Sequence, residues 1–253
     1  MSRIGIIGTG HIAAPIARLL HQKGHELTVT SRSADVSAQL SRDLGLSVAE
    51  PQQVIDTSEI VILSLRPQHA AAVLGPLRFR ADQQIVSVMA GIAKSGLTEI
   101  CAPASDFVQT IPLGFLQQGG CPLAAFGNCT LLASLFEPEN TVVQVQSEAA
   151  LNSHFAICAM VPGLLDLMST GAAWLGRETG DPKSAEFYTS QLISGFLAAM
   201  NKEQVDFLAA ERDALATEGT LSLQMTTSLR EGDAHIVLEG ALTAIGRRLE
   251  NAV

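Results

Sequence analysis

Small residues near the N-terminus recur at a spacing that suits phosphate binding. Gly8, Gly10 and Ala13 form a G-x-G-x-x-A pattern between an apolar run and an amphipathic stretch. In such a pattern the first glycine permits a tight turn, the second leaves room for a pyrophosphate, and the third small residue lets a helix lie close to the strand. The phosphates then face the positive end of that helix. We predict a dinucleotide site formed by Gly8, Thr9, Gly10, His11 and Ile12; the alternative is an ordinary strand–turn–helix that binds nothing.

The segment after the second predicted strand indicates which dinucleotide is bound. Folds that bind NAD usually place Asp or Glu there, to hold the ribose hydroxyls. This chain has Ser31, Arg32 and Ser33 instead. A guanidinium matches a 2′-phosphate in charge and in planar geometry. We therefore predict NADP(H) as the cofactor; the alternative is that Arg32 is a solvated surface residue.

Two later loops also follow predicted strands. In open α/β sheets, ligands bind at the carboxyl ends of the strands, so both loops are expected to contact the cofactor. Ala90 and Gly91 are small enough to let it approach the backbone. The first loop contains Ser64, Leu65, Arg66 and Pro67, and the second contains Met89, Ala90 and Gly91.

Taken in order, these segments resemble the pyrroline-5-carboxylate reductase family. The resemblance continues into the second half, where Val161-Pro162-Gly163 stands in place of the family's Gly-Ser-Gly-Pro-Ala stretch. The matching segments are Gly8–Ala13, Ser31-Arg32-Ser33, Arg66-Pro67-Gln68 and Met89-Ala90-Gly91-Ile92. The resemblance implies an NADPH-dependent reductase of a cyclic imine, with an intertwined helical dimer domain.

The chain departs from the family's pattern in the substrate half. The family's Arg-x-Met-Pro-Asn segment is replaced by residues 109–113, Gln-Thr-Ile-Pro-Leu, and its Ser-Pro-Gly-Gly-Thr-Thr loop is expected near residues 226–233. Hydroxyls and a guanidinium at these places can bind a small substrate, and Arg230 can grip a carboxylate. The alternative is that the hydroxyls cap a helix and that Arg230 pairs with Glu231 or Glu218. The candidate catalytic residues are Thr110, Thr227, Ser228 and Arg230, with Thr226 as a further hydrogen-bond donor.

The elements that must position these residues change in kind along the chain. Apolar runs and amphipathic stretches alternate up to about residue 147, which predicts a parallel, doubly wound Rossmann-type sheet. Helical periodicity then takes over, which predicts an all-helical C-terminal domain. The expected domains are 1–148, which binds NADP, and 149–253, for dimerisation and substrate. Strands are predicted at 3–7, 26–30, 60–63, 84–88, 105–109, 121–125 and 141–145. Helices are predicted at 11–23, 34–44, 51–56, 68–77, 94–101, 129–137, 148–177, 182–200, 202–215, 219–229 and 234–251.

Composition excludes several other classes of protein. A net charge of −9 argues against a nucleic-acid partner. The sequence has no run of ~18 uninterrupted apolar residues, so we expect no association with a membrane. The N-terminus is already a predicted strand, so we expect no signal peptide and a cytoplasmic location. The four cysteines lack metal-ligand spacing, so no metal is expected. The helix from residue 148 is apolar on nearly every face, which predicts burial in a homodimer, or a higher even oligomer, built through the C-terminal helices.

Three other functions are compatible with parts of the chain. A β-hydroxyacid dehydrogenase is disfavoured because Leu167 stands where such enzymes have a catalytic Lys, four residues after a glycine. A reductase that couples NADP to deazaflavin F420 fits the first half, but the helical second half speaks against it. A non-catalytic NADP sensor, or a reductase of a different small oxo or imino acid, fits the altered substrate segments.

Overall fold

A computed structural model describes residues 1–31, 34–203 and 205–250 of the chain. They form two compact units, one of Met1–Phe155 with the C-terminal residues from Gly246, and one of Ala156–Ile245. The chain leaves the first unit within helix α7 (Glu148–Cys158), and its last described residues, 246–250, are again part of the first unit. The predicted domains, 1–148 and 149–253, and the roles given to them remain predictions.

The first unit is an eight-stranded sheet covered by helices. The strand order is β3-β2-β1-β4-β5-β6-β7-β8, of which the first six have the Rossmann order. The strands are β1 Arg3–Ile7, β2 Glu26–Thr30, β3 Ser47–Ala49, β4 Ile60–Leu63, β5 Gln84–Ser87, β6 Asp106–Thr110, β7 Leu123–Gly127 and β8 Val142–Gln144. The helices are α1 Ala13–Gln22, α2 Ala34–Leu44, α3 Pro51–Thr57, α4 Pro67–Leu74, α5 Lys94–Ile100 and α6 Cys129–Phe136. The predicted α/β class, a Rossmann-type sheet followed by helices, is confirmed.

Alternate residues of the central strands supply two separate cores. On β6, Val108 packs in the core that also holds Ile16 of α1 and Leu132 of α6. Its neighbour Phe107 packs in the core of α3, α4 and α5. Successive side chains of a strand point to opposite faces, and strands buried on both faces are apolar at nearly every position. The same alternation places Gln109 and Thr110 on opposite faces at the carboxyl end of β6.

The prediction of a parallel sheet is wrong at one edge. β7 pairs antiparallel with β6, and β8 runs parallel to β7. A parallel pair needs a crossover of about a dozen or more residues, usually a helix. The connection between β6 and β7 contains only a five-residue 3-10 helix, Gly114–Gln118, so the chain turns back and reverses direction.

The second unit is built of helices. The predicted helix 148–177 is two helices, because α7 ends at Cys158 and α8 begins at Met160. Pro162 lies in the first turn of α8; proline has no N–H to donate to the preceding turn, so it is tolerated there but not within a continuous helix. The remaining helices are α8 Met160–Thr179, α9 Pro182–Ala199, α10 Phe207–Leu215, α11 Leu221–Glu231 and α12 Ala234–Glu250.

Large apolar side chains of the second unit are exposed in the single chain. On α8, Leu165 is 58% and Leu167 is 64% exposed, so the burial expected for this helix is not reached within the chain itself. Among the described residues, the stretch Glu148–Thr179 is long and apolar enough to cross a membrane by length and composition, and 11% of its most apolar window is buried. Length and composition alone do not separate a membrane span from a helix covered by another protein surface.

Candidate functional site

The glycine turn after β1 is fixed by two threonines from neighbouring segments. The Gly8 N–H donates to Thr30 Oγ1 at 3.0 Å, and Thr9 Oγ1 donates to the Thr30 carbonyl at 3.2 Å. Both threonine side chains are almost fully buried. Gly8 has φ +96°, and a Cβ there would lie 2.3 Å from the Ser64 carbonyl oxygen. The first position of the pattern therefore requires glycine both for its backbone angle and for its close approach to the end of β4.

The second glycine of the pattern lies beside open space. Gly10 is exposed, and a Cβ built on it would have no heavy atom of the described chain within 4 Å. His11 is also exposed, whereas Ile12 packs against the core below α1. Ile12, the N-cap of α1, has an apolar side chain and makes no capping hydrogen bond. A helix N-terminus that no side chain caps, next to a glycine with room above it, fits a pyrophosphate.

A cavity of about 550 Å³ adjoins this turn at the carboxyl ends of β1, β2 and β4. Gly8, Ser31 and Leu65, which the sequence places far apart, line it together. An apolar wall of Val73, Pro76 and Leu77 can take the flat face of an adenine ring. The predicted contacts Arg32 and Ser33 lie outside the described residues.

Glu50 also lines this cavity, and the sequence analysis did not identify it. It is the N-cap of α3, directly after β3, and a carboxylate there can accept hydrogen bonds from ribose hydroxyls or from an adenine amino group. The signal that would have found it is β3 itself, since a residue that follows a strand at the carboxyl edge of the sheet is a candidate ligand.

The loop after β5 borders a second, smaller cavity of about 210 Å³ within the first unit. Met89 and Gly91 line it, and Gly91 has φ +72°. The predicted cofactor contacts are thus divided: Gly8, Ser31 and Leu65 share the larger cavity, and Met89 and Gly91 share the smaller one. Of the other predicted contacts, Ser64, Arg66, Pro67 and Ala90 lie in the loops after β4 and β5 and line neither cavity. Thr9, Gly10, His11 and Ile12 belong to the glycine turn and line neither cavity.

Thr110 is the last residue of β6 and is 1% exposed. Its hydroxyl has no hydrogen-bond partner among residues 1–31, 34–203 and 205–250. A buried hydroxyl without a partner is unusual in a folded protein and is compatible with a role toward a ligand.

The loop expected near residues 226–233 is helical up to Glu231, so its predicted position is wrong. Thr226 donates its hydroxyl to the Ser222 and Leu223 carbonyls of its own helix. The exposed candidates Thr227, Ser228 and Arg230 lie on the same helix, α11, in the second unit. The connection in this region lies before α11 instead, where Gly219 has φ +78° and Thr220 caps the helix by accepting from the Leu223 N–H.

The cysteines of the first unit are unsuited to nucleophilic chemistry. Burial raises the pKa of the Cys101 thiol to about 12, and burial also raises the pKa values of Cys121 and Cys129. The thiolate is the reactive form, so all three remain protonated near neutral pH. Within the described part of the chain, no three His, Cys, Asp or Glu side chains are grouped so that they could hold a metal ion.

Comparison with known proteins agrees with this geometry. Residues 3–91, which include the glycine turn, match the family described as NADP oxidoreductase coenzyme F420-dependent. The 1-pyrroline-5-carboxylate reductase of Streptococcus pyogenes is 23% identical and superimposes with a TM-score of 0.81, covering 99% of this chain and 98% of that one. This chain has the fold of a pyrroline-5-carboxylate reductase.

Two further structures with this reductase fold come from distant organisms. The pyrroline carboxylate reductase of Plasmodium falciparum, solved with NADP bound, is 15% identical with a TM-score of 0.83. The enzyme of Coxiella burnetii is 21% identical with a TM-score of 0.80, and each match covers 99% of this chain and 98% of the other. The curated proteins searched by sequence contain no match to this chain. The resemblance predicted from the sequence is confirmed for the fold.

Proposed function

We propose that this protein is an NADPH-dependent reductase that transfers hydride to a small substrate with a C=N bond, such as a cyclic imine like pyrroline-5-carboxylate. The observation that carries the proposal is the glycine turn, which is fixed by Thr9 and Thr30 and leaves open space above Gly10. The match of residues 3–91 to NADP oxidoreductases and the shared fold of pyrroline-5-carboxylate reductases support it. A role in proline biosynthesis would follow if pyrroline-5-carboxylate itself is the substrate.

NADP(H) is the proposed cofactor. Its pyrophosphate would lie over Gly10 and the N-terminus of α1, and its adenosine would fill the 550 Å³ cavity. Ser31 lines that cavity and would, with Arg32 and Ser33, hold the 2′-phosphate. The NADP-bound structure of the Plasmodium falciparum enzyme, which has the same fold, supports this assignment.

In this proposal the main role of the protein is to orient the cofactor and the substrate relative to each other. Hydride chemistry comes from the reduced nicotinamide when it is bound. The loop Met89–Gly91 would shape the place where the nicotinamide and the substrate meet, because it follows β5 and lines the smaller cavity. A protonated imine is a strong electrophile, so orientation alone can account for much of the acceleration. Thr110 lies on the opposite face of β6 from Gln109, and its role as a hydrogen-bond donor stays a prediction.

The proposal is tested by cofactor binding followed by turnover. NADPH is expected to bind with enhanced fluorescence and more tightly than NADH, and its absorbance at 340 nm should then fall with cyclic imines such as 1-pyrroline and pyrroline-5-carboxylate. The family that matches residues 3–91 favours one other function, hydride exchange between NADP and coenzyme F420, so the panel includes F420 and small 2-oxo acids. Activity with F420 alone would replace our proposal, and binding of NADPH without turnover of any member would favour a sensor.

We further propose that the second unit forms a homodimer. Helices α8, α11 and α12 surround an apolar cavity of about 470 Å³ whose lining includes Leu164, Leu167 and Leu238. Exposed apolar surface of this extent is typical of an interaction surface. In this arrangement the apolar helices are covered by the partner copy, which is compatible with a cytoplasmic enzyme.

The dimer is tested by light scattering at graded concentrations. Leu167→Asp places a charge on the exposed apolar surface of α8 and is expected to give monomers or insoluble protein. Gln39→Asp adds the same charge to the exposed surface of α2 and should leave the oligomeric state unchanged. A wild-type chain that stays monomeric at high concentration would contradict the dimer.

The roles proposed for Thr227, Ser228 and Arg230 are tested by alanine at each position. If Arg230 grips a carboxylate, Arg230→Ala should raise KM for pyrroline-5-carboxylate and leave KM for 1-pyrroline, which has no carboxylate, unchanged. If Arg230→Ala leaves the KM for each of the two substrates at its wild-type value, Arg230 does not bind the substrate.

A further inference from the structure

Gln109 carries a buried amide whose two ends are in different environments. It is 5% exposed, and its Nε2 donates to the Ile92 carbonyl oxygen at 2.7 Å. Only the NH₂ end of the amide can donate to a carbonyl, so this bond fixes the orientation of the side chain. The other end, Oε1, has no hydrogen-bond partner among residues 1–31, 34–203 and 205–250. A buried acceptor without a partner is a preformed place for a ligand's N–H or O–H group.

Gln109 is one of the residues that line the 210 Å³ cavity of the first unit, at the carboxyl ends of β5 and β6. Met89 and Gly91 supply one wall, and Glu148 and Asn152 of α7 supply another. The volume lies below the ~300–1,000 Å³ that is typical for drug-sized ligands, so it suits a small molecule.

The polar groups of this cavity favour a cation with an N–H group. Glu148 contributes a carboxylate, which accepts from the Lys94 N–H, and Gln109 contributes an acceptor oxygen. Among the described lining residues there is no Lys, Arg or His. The side-chain ammonium of Lys94 is engaged elsewhere, 5.8 Å from the centre of the Phe126 ring. A protonated imine or an amine fits these two acceptors, whereas a ketone oxygen placed at Gln109 Oε1 would face another acceptor.

We propose that Gln109 Oε1 accepts the N–H of the substrate's protonated imine, so that Gln109 selects C=N over C=O substrates. This inference rests on the proposed function. Hydride adds to the imine carbon, the π electron pair of the C=N bond moves to nitrogen, and the product is a neutral amine that keeps its N–H; NADPH is oxidised to NADP⁺. The N–H donated to Gln109 is thus present before and after the step, and no proton from the protein is required.

The test measures binding without relying on turnover. Pyrrolidine, which is protonated at neutral pH, and tetrahydrofuran have the same ring shape, but only pyrrolidine carries N–H donors. Titration calorimetry with the NADP⁺ complex of the wild type is expected to give at least roughly tenfold tighter binding of pyrrolidine, because a binding site that hydrogen-bonds an N–H rejects the analogue lacking it.

Two variants separate the acceptor from the packing. Gln109→Met retains a similar volume without an acceptor and should reduce the preference for pyrrolidine to the part that the charge of Glu148 supplies. Gln109→Glu also loses the amide donor to Ile92, but it keeps an oxygen in the same place and adds a negative charge, so its preference should be at least as large as that of wild type. Both variants lose the amide donor to the Ile92 carbonyl and should therefore melt below wild type. NADPH dissociation constants close to wild type in both variants would establish that the cofactor site is intact.

The outcomes distinguish this inference from the proposed function. An equal affinity of the wild type for the two rings, or a Gln109→Met variant whose preference is as large as that of wild type, would overturn the role of Gln109 even if imines are reduced. A preference that depends on Gln109 in a protein that reduces no imine would support the N–H site and refute the proposed function.

Discussion

Glycines 8 and 10 lie two residues apart in one turn, yet the structure predicts that alanine at the two positions acts on different properties. Gly8 has φ +96°, a conformation that alanine rarely adopts, and its Cβ would lie 2.3 Å from the Ser64 carbonyl oxygen. Gly10 has no such φ, and a Cβ there meets open space. We therefore expect Gly8→Ala to weaken the fold and Gly10→Ala to weaken only cofactor binding.

The magnitudes follow from the strain and the overlap at each position. A non-glycine residue in a sparsely populated region of φ and ψ costs about 1–3 kcal/mol, and an unaccommodated methyl group costs about the same again. For a chain of this size each kcal/mol lowers Tm by about 2–4 °C, so Gly8→Ala should melt roughly 5–20 °C below wild type. Gly10→Ala should stay within about 1 kcal/mol of wild type. Its methyl group would overlap a bound pyrophosphate, which predicts a loss of about 1–3 kcal/mol, or roughly five- to 150-fold, in NADPH affinity.

Thermal unfolding followed by circular dichroism measures the first effect, and titration of NADPH fluorescence measures the second. The two variants serve as controls for each other because they add the same methyl group to the same turn. A Gly8→Ala protein with the wild-type Tm would refute the strain at that residue. A stable Gly10→Ala protein that binds NADPH as tightly as wild type would refute the position proposed for the pyrophosphate.

Three other changes probe the scaffold and the cofactor site. Gln83 is fully buried and donates to two carbonyls at the end of α3. Gln83→Ala should therefore lower the free energy of unfolding, measured by urea titration, by about 2–4 kcal/mol. As a control, Gln39→Ala on the exposed surface of α2 should change it by less than about 0.5 kcal/mol. Burial, with the charges of the N-terminus and Lys23, lowers the pKa of His25 below 6.5. The unfolded chain then binds that proton more readily, so stability should fall as pH drops through about 6.5 and below, and His25→Gln should reduce this fall in Tm; an unchanged pH profile would contradict it. Arg32→Ala should weaken NADPH roughly 10- to 100-fold and leave NADH unchanged in fluorescence titrations, and an equal loss for both would contradict a 2′-phosphate contact.

Local patterns predicted most of the sheet, because buried parallel strands are continuous apolar runs. Ile60–Leu63 is such a run, and its predicted bounds are those observed. β3 was missed since it contains only Ser47, Val48 and Ala49, and Val48 is 41% exposed at the sheet edge. Strand direction was harder to predict, because the reversal at β7 depends on the missing crossover helix between residues 111 and 122 and not on the strand's own composition.

In the candidate site, too, local features were predicted and features that depend on distant segments were missed. The glycine turn was predicted because its residues are contiguous and its requirement for small side chains is local. Gln109 was not identified as a ligand-binding residue, because its importance depends on a contact with Ile92, 17 residues away in the chain. Residues 226–229 were correctly predicted as helical, within the helix 219–229, but the family's substrate loop was expected near 226–233, where α11 in fact continues to Glu231. The position was wrong because short polar side chains suit both a loop and an exposed helix surface.

The hydrogen bond from Gly8 to Thr30 has a consequence for changing the cofactor preference of this protein. Thr30 braces the phosphate turn through its hydroxyl and its carbonyl, and it is directly followed by the segment that would recognise the 2′-phosphate. A change from NADP to NAD preference would place an acidic residue at positions 31–33. If Thr30 were replaced at the same time, the glycine turn would lose the hydrogen bond from the Gly8 N–H to the Thr30 hydroxyl, and the protein would bind neither nucleotide. That loss would be mistaken for a failed change of preference. An engineered switch should therefore keep Thr30 and begin at Ser31.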